Sequence, residues 1–300
     1  MNTKLKKKKQ KKNLIAYIMI APTMIGLVIL NIIPFFETIR MSFYKSGSFG
    51  KWTFCGIDNY IKMFSSSGFW RSTWNTTYFV ILTVPIGVFI SLVLAVFLNA
   101  KIKGRTIFRA IYFLPMVVAP TAVAMVWKWM YNSEYGIINN FLRSIGISNT
   151  INWITNSKTA LLACAIVAIW SAIGYDAILL LSGIQSISKS YYEAAKIDGA
   201  SGIKQFFHIT IPMVSPTLFF VIIMRAMTSL KMFDIIYMMI EERNPAIRST
   251  ETILMLFYKE SFVNNNQGYG SAIVIWAFLI IGVVTLVQFI GQKKWVNYET

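Results

Sequence analysis

The sequence predicts an all-α integral membrane fold with six transmembrane helices and both termini cytoplasmic, and three observations predict it. The 300 residues are 56% hydrophobic and 14% charged, with a mean hydropathy of +0.56, too apolar for a water-facing surface. Stretches long enough to cross a bilayer recur six times. Basic residues gather between alternate stretches, as the positive-inside rule requires. The formal charge of +17, from 29 Lys+Arg against 12 Asp+Glu, is therefore a topology signal rather than a mark of nucleic-acid binding.

A hydrocarbon core of about 30 Å needs roughly 20 residues at about 1.5 Å rise each. The runs 13–36, 72–100 and 261–292 meet that length without a single charge. The runs 110–127 and 205–224 are also uncharged and close to the required length, and 159–185 is long enough although it contains Asp176. A cleaved signal peptide competes for the first run, since Lys4, Lys6 to Lys9, Lys11 and Lys12 precede it. The run 13–36 is longer than a signal core and no small-x-small cleavage site ends it, so it reads as a span. With the N terminus inside, segments 1–13, 100–109, 186–208 and 292–300 hold more than half of the Lys and Arg in less than a fifth of the chain. Connections 37–71, 131–158 and 231–260 are then extracytoplasmic. The resulting organisation is a basic cytoplasmic tail at 1–13, drawn secondarily to anionic lipid, a six-helix domain at 14–291 and a short cytoplasmic tail at 292–300. Pro34, Pro85, Pro115, Pro120, Pro212 and Pro216 lie in or beside the spans and favour a packed bundle that satisfies bent helices from its neighbours.

Between the fourth and fifth spans, residues 188–216 read as a punctuated helix-turn-helix. Ser190 and Glu193 have capping-box spacing, so a helix is expected to start there. Ala194 and Ala195 favour helix, Gly199 permits a sharp turn, and Asp198 or Ser201 can cap the next helix. Small residues at the tip leave backbone bare for close approach by another protein, although an ordinary loop would read similarly.

Glu193-Ala194-Ala195, Asp198-Gly199-Ala200, Phe206 or Phe207, Ile211-Pro212 and Pro216 closely resemble the EAA loop of ATP-binding-cassette importer permeases. The resemblance extends over nearly the whole chain and looks nearest to the sugar permeases of the carbohydrate-uptake group. Residues 54–64, from Phe54 through Gly56, Asp58, Asn59 and Tyr60 to Phe64, are similar to that group's segment after the first helix, and Met232–Met239 to another after the fifth. Where many relatives have Gly-Gly-Pro, this chain has Glu241-Glu242-Arg243-Asn244-Pro245. The resemblance implies a type I importer permease fold in a bacterial cytoplasmic membrane. It implies that Glu193, Ala194, Ala195, Asp198, Gly199 and Ala200 form a coupling helix docking into a partner ATPase. A second homologous permease, a pair of ATPase subunits and an extracytoplasmic substrate-binding protein are the partners it implies. ATP and Mg²⁺ would sit on the ATPase, with no cofactor on this chain.

The residues themselves carry no enzyme signature. There is no G-x-x-x-x-G-K-[ST] phosphate loop, no metal constellation and no pairing of a nucleophile with a base. The lone His208 reads as interfacial, and Cys55 and Cys164, far apart in the chain, make neither a disulfide framework nor a CxxC site. A sugar pathway wants aromatic platforms and hydrogen-bonding groups. Tyr175, Asp176, Arg225, Ser229 and Phe233 are the candidates to line it. An interhelical Asp176–Arg225 pair, or Arg225 reaching to the outer surface, are the competing readings. Lys128 is expected to snorkel, and Trp127, Trp129, Tyr131 and Trp153 to anchor the interface. Segment 137–146 has helical apolar spacing, either as a rest for a binding protein or as a cover for helix ends. A gradient-driven secondary transporter and a structural membrane subunit are the rival functions. The first should show internal repeat symmetry, which this sequence lacks; the second would tolerate substitution in the loop. The particular solute stays open.

Overall fold

The computed structural model describes residues 17–47, 51–100, 104–147 and 149–297. The basic tail at 1–13 lies outside the described residues. In chain order the elements are α1 (Tyr17–Ser42), β1 (Tyr44–Ser46), β2 (Trp52–Phe54), α2 (Asp58–Ser65), α3 (Ser67–Asn99), α4 (Arg105–Val117), α5 (Pro120–Met130) and α6 (Ile137–Ser144). There follow α7 (Ala160–Ser186), α8 (Lys189–Ile197), α9 (Gly202–Leu230), α10 (Asp234–Met239), α11 (Ile247–Thr250), α12 (Ile253–Tyr258) and α13 (Gln267–Gln292). Five of these helices, α1, α3, α7, α9 and α13, are long and apolar enough to span a bilayer. The all-α expectation holds, with one antiparallel hairpin, Tyr44 opposite Phe54, among the described residues.

The third span departs from the single helix expected over 110–127. It is two helices, α4 and α5, bent by 100°. The cause is local. Pro120 takes the first turn of α5, where its missing N–H costs nothing. The residue before a proline is pushed out of the helical region, and Ala119, at ψ 134°, is extended, as is Val118 at ψ 137°. Pro85 and Pro216 sit inside α3 and α9 without ending them.

The chain divides into two compact units. One comprises the residues up to Ser65 with Phe257–Ile275. Here α1 exposes apolar side chains such as Ile18, Met19, Leu30 and Phe36, a surface that lipid or another chain must cover. The motif at 54–64 acts as a staple. Gly56 turns the chain at φ +57°, and the buried Asn59 donates through Nδ2 to the carbonyls of Ser42 (2.8 Å) and Tyr44 (2.9 Å). Tyr60 and Ser42 share a hydroxyl hydrogen bond of 2.7 Å.

The second unit, Ser66–Leu256 with Trp276–Thr300, holds α7 among α3, α4 and α9. One core cluster joins Phe79, Val123, Cys164, Val167, Ile236 and Met239; another joins Val84, Leu92, Leu180, Val214 and Val221. The segment 232–239 is thus a core element. Between membrane helices, packing and small residues replace the hydrophobic drive. Gly174 illustrates it: a Cβ there would lie 1.7 Å from the Tyr112 carbonyl oxygen, so α7 meets α4 backbone to backbone. The connection after α10 is fastened to α3. Asn75 Nδ2 donates to the carbonyls of Arg248 (3.1 Å) and Glu251 (3.0 Å), and Ser72 Oγ to the Glu251 carboxylate (3.1 Å).

Candidate functional site

The loop between α7 and α9 is built locally. Ser188, rather than Ser190, caps α8, its hydroxyl accepting from the Ser190 N–H at 3.4 Å. The capping-box expectation is therefore corrected by two positions. Ser190 falls within the first turn, and Glu193 lies beyond the cap and is exposed. Relieved of capping, its carboxylate is available to another chain. The helix ends in a Schellman turn. Gly199 N–H donates to the Lys196 carbonyl (3.1 Å) and Ala200 N–H to the Ala195 carbonyl (2.8 Å), with Gly199 at φ +74°. A side chain at Gly199 would meet open space but a strained backbone. Of the two candidates for the next cap, Ser201 takes the role, accepting from Lys204 N–H at 3.4 Å. Gln205 Nε2 then donates to the Ala200 carbonyl (2.8 Å), and Tyr192 and Thr210 hydroxyls meet at 3.0 Å. His208 is exposed, with Nδ1 3.0 Å from the Lys204 carbonyl.

No residue of α8 is buried. Glu193, Ala194, Asp198 and Gly199 are exposed, Ala195 and Ala200 half-exposed, and Ile197 is 87% and Ile203 74% exposed. Fixed geometry with bare backbone, two uncovered isoleucines and free carboxylates suits reception in a partner's cleft.

A second feature forms where the third span breaks. A cavity of about 290 Å³ opens beside Pro115, Val118 and Pro120, and α7 and α9 line its other side with Tyr175, Asp176, Arg225 and Thr228. Asp176 Oδ1 accepts from Arg225 Nη2 at 2.8 Å. The interhelical pair and the cavity-lining reading thus describe the same two residues. Asp176 Oδ2 and Arg225 Nε are buried with no hydrogen-bond partner among the described residues. Charge inside a span costs several kcal/mol unless paired, and orphan polar atoms add about 1–3 kcal/mol each. A site with one unspent acceptor and one unspent donor suits a hydroxyl-rich ligand or water.

The structure places Ser229 and Phe233 elsewhere. Ser229 is buried and accepts from Thr83 Oγ1 at 2.9 Å, tying α9 to α3, and Phe233 stacks on Tyr237 with centroids 5.0 Å apart. Lys128 does not merely snorkel: it is ion-paired with Glu241, the first residue of the stretch that replaces Gly-Gly-Pro. That pairing holds the exposed Glu241 carboxyl below its ordinary value. Asn244 Oδ1 closes the same stretch by accepting from Ala246 N–H at 2.8 Å. Burial pushes the Tyr131 phenol upward. Segment 137–146 forms α6, pinned by buried Asn139, whose Nδ2 donates to the Ile151 carbonyl at 2.9 Å. Three or more His, Cys, Asp or Glu placed to hold a metal do not occur among the described residues. Sequence reasoning missed the role of the span-three break; the dipeptide Ala119-Pro120 was its only signal.

Residues 60–295 match the family described as "binding-protein-dependent transport system inner membrane component". The chain belongs to that family. Among its relatives, the trehalose/maltose transport system permease protein MalF of Thermococcus litoralis is 34% identical, over 96% of this chain and 95% of the relative. The arabinooligosaccharides transport system permease protein AraP of Halalkalibacterium halodurans is 31% identical, over 91% and 86%. A chain of the bacterial alginate ABC transporter, solved in complex with an alginate pentasaccharide-bound periplasmic protein, shares the fold at TM-score 0.86 with 23% identity, covering 98% of this chain and 99% of that one. This chain is accordingly a membrane-spanning subunit of a binding-protein-dependent transport system, and its class is transporter rather than enzyme.

Proposed function

We propose that this chain is the permease subunit of an ATP-driven importer that carries a carbohydrate or closely related solute across the bacterial cytoplasmic membrane. The exposed, Schellman-terminated loop at 188–216 is the observation that carries the reading, because its small-residue helix tip is hydrogen-bonded within itself and left uncovered by the rest of the described chain, open to a partner. In this reading Glu193, Ala194, Ala195, Asp198, Gly199 and Ala200 dock into one of a pair of cytoplasmic ATPase subunits. ATP and Mg²⁺ belong to that pair, since this sequence has no phosphate loop. A second permease completes the bundle, and a substrate-binding protein delivers solute from outside; the pentasaccharide-bound periplasmic protein in the alginate transporter complex supports such a partner. The carbohydrate class is supported by the names of MalF and AraP and by the cavity beside Asp176 and Arg225, which offers a donor, an acceptor and the Tyr175 ring.

The cycle follows from linkage. ATP closing the ATPase pair draws the coupling loops together and favours the outward-open bundle; hydrolysis releases it. Each ligand shifts the equilibrium only by its differential affinity for the two states. The test is mass-spectrometric identification of the proteins that co-purify with the tagged chain in mild detergent. A P-loop ATPase and a second permease are expected with the wild type, and loss of the ATPase alone with Glu193→Arg. A chain that emerges alone or only as a homo-oligomer would overturn the reading.

A further inference from the structure

Beyond the outer end of α5 the chain forms a second cavity, about 360 Å³, within the range of roughly 300–1,000 Å³ usual for small-molecule sites. Its walls come from α5, the turn after it and the segment before α7. The aromatic residues that read as interface anchors in the sequence separate here into two sets. Trp127 is spent on packing, with its ring against Tyr131 (5.4 Å) and Trp170 (5.5 Å). Tyr131 is the floor, 2% exposed, its hydroxyl donating to the Ala163 carbonyl at 3.3 Å. Trp153 leans on it at 5.6 Å and is fixed by donating Nε1–H to Asn139 Oδ1 at 3.0 Å. Above this rigid base, Trp129 and Tyr135 border the cavity 54% and 59% exposed.

Polar groups share the lining. Asn132 uses its Oδ1 to accept the N–H groups of Glu134 (2.9 Å) and Tyr135 (3.2 Å), which locks its side chain and leaves its NH₂ donors for a ligand. Among the described residues Asn152 bonds through its backbone carbonyl, which accepts from Thr159 Oγ1 at 3.0 Å and from Asn156 N–H at 3.2 Å, so its side-chain amide offers both donor and acceptor. Among the described lining residues Lys128 is the one that carries charge, and it is ion-paired with Glu241. Aromatic rings beside oriented amides, without net charge, match a pyranose or furanose, which has an apolar face and a ring of hydroxyls. A lipid-facing belt needs the rings but has no use for a concavity lined by amides.

The geometry points to a binding site for a neutral saccharide on the outer face of this chain, separate from the cavity at Asp176 and Arg225, with Trp129 as its stacking platform and Asn132 and Asn152 as its hydrogen-bonding groups. The inference rests on the carbohydrate reading for the nature of the arriving solute, and on this cavity alone for the site.

The experiment uses the full chain in its purified assembly, in phosphatidylglycerol nanodiscs prepared without glycoside detergent. The probes are diazirine-bearing neutral trisaccharides of α-1,4, β-1,4 and α-1,5 linkage, and cross-linked peptides are mapped. Label is expected on peptides containing Trp129–Tyr135 or Asn152–Thr155. Trp129→Ala is expected to lower it about fivefold to tenfold, one aromatic platform's worth, with Trp129→Phe intermediate. Because the Trp129 ring is half-exposed and outside the stacked set, the variant is expected to fold; Asn152→Ala, whose backbone role persists, provides an independent second variant. Label confined to the peptide with Tyr175, or equal at the outer cavity in wild type and both variants, overturns the site while leaving the importer reading intact. Outer label that falls in the variants, in an assembly that takes up no saccharide, sustains the site and sinks the carbohydrate assignment instead.

Discussion

The loop at 188–216 and the cavity beside Asp176 and Arg225 make opposite uses of charge and burial. The loop at 188–216 keeps Glu193 and Asp198 exposed and closes its turn with its own backbone hydrogen bonds, so its unmet interactions all point outward. The cavity buries Asp176 against Arg225, 49 positions away, and leaves one acceptor and one donor unmet inside. A loop of the first kind is replaceable without unfolding the chain. A pair of the second kind couples stability to function, because either charge alone is stranded in apolar surroundings.

The largest effect should therefore come from Arg225→Leu. Removing one partner of a buried ion pair costs about 3–5 kcal/mol, less to the extent that Asp176 takes up a proton. Stability to unfolding in graded anionic detergent should fall accordingly, whereas the Asp176→Leu, Arg225→Leu double variant should recover to within about 1–2 kcal/mol of wild type. If the double variant assembles and imports with unchanged substrate affinity, the pair is structural only and the cavity loses its claim to the pathway. Equal losses in single and double variants would break the contrast with the loop altogether.

Next is Glu193→Arg, which reverses an exposed charge on the loop. The amount of chain in the membrane should stay constant while uptake drops about tenfold or more, corresponding to a coupling loss of about 1.4 kcal/mol. Transport at the wild-type rate would mean that the loop is an ordinary connection. Gly199→Val adds a milder version. A β-branched residue at φ +74° costs about 1–2 kcal/mol of local strain with no clash, so hydrogen exchange should quicken at Asp198–Ser201 before uptake is affected.

These two regions also explain which features were legible in the sequence. The loop's turn is written in consecutive residues: glycine supplies the positive φ, serine the cap, and the Schellman motif closes between Ala195 and Ala200. Long apolar runs likewise announced the five unbroken spans, although the one at 159–185 carries Asp176, since bilayer thickness sets their length. The cavity gathers residues from α4, α5, α7 and α9, and neither Tyr175 nor Thr228 carries any sign of which neighbour it will face. Ser229 and Phe233 lie within a few residues of Arg225, yet helical rotation turns Ser229 toward Thr83, and the turn after α9 sends Phe233 onto Tyr237. The 100° break was legible only as a proline, and Pro85 and Pro216, set inside unbroken helices, show why a proline alone does not predict one.

A smaller effect sharpens the account of the loop itself. Ser188→Ala should cost α8 about 1 kcal/mol, seen as roughly fivefold faster amide exchange at Ser190 and Tyr191, while Ser190→Ala should be near neutral. The reverse order would restore the capping box with Glu193 and take away the free carboxylate on which the proposed docking rests.

The smallest effect concerns the exposed pair of Lys128 and Glu241, which resembles the loop in exposure and the cavity in joining distant segments. Its sign is fixed by linkage. The Glu241 carboxyl is held below its ordinary value of 4.5 by the hydrogen bond and charge of Lys128, so whatever stability the pair contributes is fully present above that value. It is lost as pH falls below 4.5 through the lower folded-state value. Thermal melts of wild type and Glu241→Gln should therefore differ by a small constant amount at neutral pH and converge in acid, and the neutral-pH difference should shrink with added salt. A difference that grows in acid would contradict the pairing. A difference that ignores salt would place the pair in surroundings as dry as those of Asp176 and Arg225, and the outer cavity would then rest on a buried anchor rather than a screened one.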